Sequence, residues 1–116
     1  MKEPLGVNRA AALLVPKKPF FDWLRSLPDP MELSPAMYEE YSTVYLLPEF
    51  EDDVEKRAVL RICFTTLFEE VLVGWWTVED DWPDTRDFKI FTDWFDVKMY
   101  SMVLDTVEAP LERVEH

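Results

Sequence analysis

The sequence predicts a single small α+β domain, in the element order β-α-β-α-α-β, with a three-stranded sheet packed against helices. Three observations lead there. Short apolar runs rich in β-branched and aromatic residues alternate with longer stretches of helical periodicity. Prolines and acidic capping residues mark the boundaries between them. The 116 residues, 48% of them hydrophobic and 15% aromatic, are enough to bury one core.

The elements follow in order. Ala10 to Val15 is a short apolar run stopped by Pro16, which suits a buried strand. Pro19 can open a helix at its first position, and Phe20, Trp23, Leu24 and Leu27 then recur at helical spacing until Pro28 and Pro30 end it. Ser34-Pro35 can cap a short further turn reaching Glu40. Ser42 to Leu47 is a strand by its β-branched and aromatic content, closed by Pro48. A single crossover between these two strands predicts that they run parallel and right-handed.

Asp52 followed by Glu55 has the capping-box pattern, and Leu60, Cys63, Phe64, Leu67, Phe68 and Val71 then share an apolar arc of about 140°. Gly74 is placed as the left-handed stop of this long helix. Thr77 with Asp80, and Asp84 with Asp87, look like two further caps. Phe88, Ile90, Phe91, Trp94 and Phe95 sweep about 160° of a last helix. Val97 to Leu104 is apolar on both faces, as a central strand is, with Met99 and Met102 in the core. The expected ordered core spans about residues 10–105, and the acidic segment 106–116 is expected to fray.

Charge and composition exclude several functions. Twenty-four acidic against twelve basic residues give a net charge of −12, and the bases cluster only in pairs such as Lys17-Lys18 and Lys56-Arg57. Neither nucleic acid nor an anionic membrane surface is therefore an expected partner, whereas a basic protein is permitted and solubility alone also accounts for the charge. Cys63 is the lone cysteine and lies on the apolar arc, which predicts an inert buried thiol and a reducing, cytoplasmic setting. No apolar run approaches a membrane span, and Ala10 to Val15 is too short for a secretion signal.

Two glycines cannot write a phosphate loop or a dinucleotide fingerprint, and His116 is the single histidine. Histidine-assisted nucleophiles and structural zinc sites are excluded with it, and no cofactor is expected. Carboxylate chemistry survives this elimination. Glu79, Asp80, Asp81, Asp84 and Asp87 lie beside aromatic rings, a composition that a sugar-binding or hydrolytic protein can use. Asp84 and Asp87 are equally accounted for as residues of a first helical turn, Glu79, Asp80 and Asp81 less well, and Arg86 as the partner of a local ion pair.

Trp23 and Trp94 fall on apolar arcs and belong to the core. Trp75, Trp76 and Trp82 admit two readings, a staple of the helix junction or an exposed contact ringed by acids. The candidate interaction surface is accordingly Trp75, Trp76, Glu79, Asp80, Asp81 and Trp82.

The segments PKKPFFDWLRSLPDP, STVYLLPEFEDD and GWWTVEDDWPDTRDFKIFTDWFDVKMYSMVLD, together about residues 13–105, resemble a family of small acidic bacterial proteins with no assigned function. Trp82, Pro83, Arg86, Asp87, Phe88, Trp94 and Phe95 carry most of that likeness. It implies a bacterial cytosolic single domain and supplies no activity, cofactor or catalytic residue. The expected function is a non-catalytic protein-binding module. An acidic inhibitor or immunity-type protein that neutralises a basic partner is one alternative, and a carboxylate-based sugar binder or hydrolase is another. The doubly apolar last strand adds the expectation of a homodimer through an uncovered sheet edge or face.

Overall fold

The computed structural model describes residues 3–30, 32–40 and 42–116. Its elements are β1 (Leu5–Gly6), β2 (Ala10–Pro16), α1 (Lys18–Ser26), α2 (Pro35–Glu40), β3 (Tyr45–Leu47), α3 (Asp53–Trp75), one 3₁₀ turn (Glu79–Asp81), α4 (Phe88–Trp94), β4 (Phe95–Tyr100) and β5 (Leu104–Asp105). This is an α+β fold around an antiparallel sheet of order β3-β2-β4.

The pairing corrects two expectations. β2 and β3 are antiparallel, Ala10 facing Leu47 and Ala12 facing Tyr45. A crossover of one helix returns the chain for a parallel strand, whereas this connection carries two, α1 and α2, and β3 enters antiparallel. The central strand is β2, and β4 lies at the edge. Its alternation is correspondingly one-sided, with Phe95 buried, Val97 and Met99 half-buried, and Asp96, Lys98 and Tyr100 exposed.

β4 also ends earlier than predicted, at Tyr100, and Met102 is exposed rather than core. The chain resumes pairing at β5 against β1, where Gly6 faces Leu104 while Ala11 faces Tyr100. Five steps on the first strand thus match four on the second, a one-residue bulge between the two ladders. The β1–β5 ladder leaves Leu5, Met102 and Leu104 in solvent. The chain measures 50 × 31 × 25 Å, and its radius of gyration of 16.0 Å exceeds the about 13 Å of a compact domain this size.

One face of the sheet carries the core. Ala10, Ala12 and Leu14 on β2 point to it, opposite Leu47, Val97, Met99 and Phe95. Phe20 and Leu24 from α1, Phe68 and Leu72 from α3, and Phe91 from α4 fill the space above them. The rings interlock: Phe68 meets Phe91, Trp94 and Phe95 at centroid distances of 5.6, 5.5 and 5.8 Å.

Capping decides the helix starts. The Asp52 carboxylate accepts from the Glu55 N–H at 2.8 Å, and Glu55 reaches back to accept from the Glu51 N–H at 2.7 Å. α4 is capped by Asp87, which accepts from the Ile90 N–H, and not by Asp84. The turn at Glu79 starts from Val78 without a side-chain cap, so Thr77 does not serve as one. Phe95 begins β4 instead of ending α4.

Gly74 does not stop α3. No glycine among the described residues has a positive φ, and the helix runs through Trp75. Its end needs no left-handed residue, because Trp76 leaves in extended conformation while its N–H still reaches the Leu72 carbonyl at 2.8 Å. Cys63 is half-buried against the core, and burial pushes its thiol pKa up.

Candidate functional site

The segment after α3 is a knot of indoles. From Trp76 the chain runs extended to Val78, turns once through Glu79–Asp81, and arrives at Trp82. The turn closes on its own backbone, Trp82 N–H donating to the Glu79 carbonyl at 3.0 Å. Three indole N–H groups then fix it from different directions. Trp76 Nε1 donates to Asp81 Oδ2 at 2.9 Å, Trp82 Nε1 to the Trp76 carbonyl at 2.8 Å, and Trp23 Nε1, 58 residues away in sequence, to the Asp81 carbonyl at 2.9 Å.

A tryptophan buries its rings only when the N–H finds an acceptor, and here all three do. Trp82 is 7% exposed and belongs to the core, while Trp75 and Trp76 are half-buried against it. The guanidinium of Arg86 lies 5.6 Å from the Trp82 ring centroid and donates to the Pro83 carbonyl, so this residue packs where an ion pair was expected. Asp81 serves the frame with both its carboxylate and its backbone. Of the six candidate residues, Glu79 and Asp80 are the ones left exposed, held outward on a turn that cannot easily move.

Next to this knot the structure brings Trp75 together with residues that the sequence did not single out as a site. A cleft of about 500 Å³ is lined by Leu33, Met37 and Tyr38 around α2, by Thr43 and Tyr45 before and on β3, and by Glu70, Val71, Gly74 and Trp75 of α3. The Tyr38 and Trp75 rings stack with centroids 5.8 Å apart and 23° between planes. The Glu70 carboxylate stands at the rim, its side chain 45% exposed, with His116 Nε2 at 4.0 Å. One sequence signal pointed here: Glu70 and Gly74 are four residues apart, hence on one face of the helix.

Burial pushes the Tyr38 phenol from its ordinary 10.0 up to about 12, with Tyr45 adding to the shift. Tyr45 is raised too, by burial first; the Thr43 hydrogen bond opposes this and Glu70 adds to it. A phenol raised by folding stabilises the fold fully below its unfolded pKa and loses that contribution as pH climbs from 10.0 toward about 12. Tyr38→Phe is therefore expected to lose less stability over that window than the parent chain, by at most about 2 kcal/mol. Urea unfolding at stepped alkaline pH measures this, and identical losses in both chains would refute the assignment.

Among the described residues no three His, Cys, Asp or Glu side chains are grouped to hold a metal ion, and no helix is long and apolar enough to cross a membrane. No protein-family model, curated protein or solved structure matches the chain.

Proposed function

We propose that this protein is a non-catalytic module of a bacterial cytosol that binds a basic protein through the acidic face of the indole knot. The observation that carries the reading is the division of labour within the knot. Trp76, Asp81 and Trp82 bond to one another and to Trp23, and so lock a turn that presents Glu79 and Asp80 to solvent. A contact surface built this way loses little entropy on binding, because its frame is already ordered. The net charge of −12 would steer a basic partner toward it. An inhibitor of a basic toxin or nuclease is a special case of the same chemistry. The sugar-binding reading is weakened because Asp81 is engaged by two indoles and Trp82, its nearest platform, is turned into the core.

Photocrosslinking tests this. A photoreactive residue in place of Asp80 is expected to capture one dominant basic protein from cell extract, and the same residue in place of Arg57, exposed near the start of α3, is not. Glu79→Lys added to the chain that carries the photoreactive residue at position 80 should abolish capture without changing the melting temperature, and raising salt should weaken it steeply. Equal capture from both positions, or capture indifferent to charge reversal and salt, would sink the proposal.

A further inference from the structure

We infer that the cleft between α2, β3 and the end of α3 receives the guanidinium of an arginine side chain from the partner, an inference that rests on the basic-partner reading and adds the anchor it uses. Three features of the cleft select that group. Aromatic rings form much of its wall: Tyr38 and Trp75 are stacked on each other, and Tyr45, half-buried on β3, adds a ring to which a cation is drawn. A single carboxylate, Glu70, stands at the rim to take the charge. The planar guanidinium is the side chain that can lie on an aromatic face and fork onto a carboxylate at once, which a lysine ammonium cannot.

Gly74 is the third feature. Glycine is a destabilising choice inside a helix, and it is usually excused by a left-handed φ or by close packing. Neither applies among the described residues: its φ is not positive, and a Cβ built at this position meets none of their atoms within 4 Å. What the missing side chain does leave is open floor in the cleft, flanked by Glu70 one turn earlier and Trp75 beside it. His116 Nε2 lies 4.0 Å from the same carboxylate, which leaves Glu70 exposed to an incoming cation. Arginine is also among the residues that anchor protein interfaces from a pocket of this kind.

The test titrates the full chain with N-acetyl-arginine methylamide, followed by two-dimensional NMR, with His116→Ala run alongside so that the imidazole does not compete. The citrulline, lysine and tetramethylammonium analogues serve as comparators. Saturable shifts at Tyr45, Gly74 and Trp75 are expected, weakened about tenfold by Glu70→Gln and lost in Gly74→Leu. Gly74→Ala controls for folding, since it should raise the melting temperature while weakening binding less than Gly74→Leu. Shifts that fail to saturate or lie elsewhere would overturn the inference. So would citrulline binding as well as arginine, which would make the cleft merely apolar, or tetramethylammonium binding more tightly, which would assign a small quaternary ammonium ligand. Because the probe is an arginine analogue, a missing arginine response leaves the Asp80 crosslink standing, and a missing crosslink leaves the arginine response standing.

Discussion

Trp82→Ala is expected to destabilise the fold by about 3–5 kcal/mol, the usual cost of emptying a buried aromatic site. That is a large share of the about 5–15 kcal/mol by which domains are stable, so the variant should melt far below the parent or fail to accumulate folded. Two losses combine. The indole is 7% exposed and packed in the core, and its N–H closes the bond to the Trp76 carbonyl. Trp82→Phe separates them, because it keeps most of the apolar volume and gives up the hydrogen bond, for about 1 kcal/mol plus a smaller packing term. Urea unfolding followed by circular dichroism measures both. If Trp82→Ala shifted stability by under about 0.5 kcal/mol, as surface substitutions do, the side chain would be an exposed contact after all.

Phe20→Ala is expected to cost about 3–5 kcal/mol as well, through the loss of its ring contacts in the core. Phe20 is fully buried and meets Phe21, Trp23, Tyr38, Trp94 and Phe95, all with centroids between 5.5 and 6.3 Å. It is the ring that joins α1 to α2, α4 and β4, so the cavity left by its removal cannot be closed by one neighbour. Phe21, the next residue and only half-buried, supplies the comparison. Phe21→Ala should cost clearly less, and equal costs for the two would mean that α1 does not present the face described.

The helices were legible because their signals are local. Asp52 and Glu55 cap α3 as a three-residue spacing implies, and Leu67, Phe68 and Val71 are buried as their spacing demands. Strand direction was not legible. Both helices between β2 and β3 could be read from Pro28, Pro30 and Ser34-Pro35, but the direction in which the chain returns to the sheet is a tertiary matter that no local signal carries. Gly74 was misread for a specific reason: glycine near a helix end usually marks a left-handed stop, but extended Trp76 ended this helix instead.

The site was legible as a segment and not as a geometry. Sequence located Trp75 to Trp82 but could not choose between staple and contact, because the choice hangs on indole acceptors supplied by Asp81 and on Trp23 arriving from α1. The cleft was less visible still. Its Tyr38, Tyr45, Glu70 and Trp75 come from three separate elements, and only the spacing of Glu70 and Gly74 on α3 is a pattern along the chain.

The indole knot as a locked frame for an exposed acidic turn is the central claim, and hydrogen exchange of the tryptophan Nε1–H groups tests it most directly. Resolved by NMR in the unbound protein, the Trp23, Trp76 and Trp82 indole protons should exchange only through opening of the fold, all three slowed together by orders of magnitude relative to an unstructured peptide. Exchange of the Trp76 or Trp82 proton at the free rate, with the α3 amides still protected, would show a turn that moves independently and would contradict the claim.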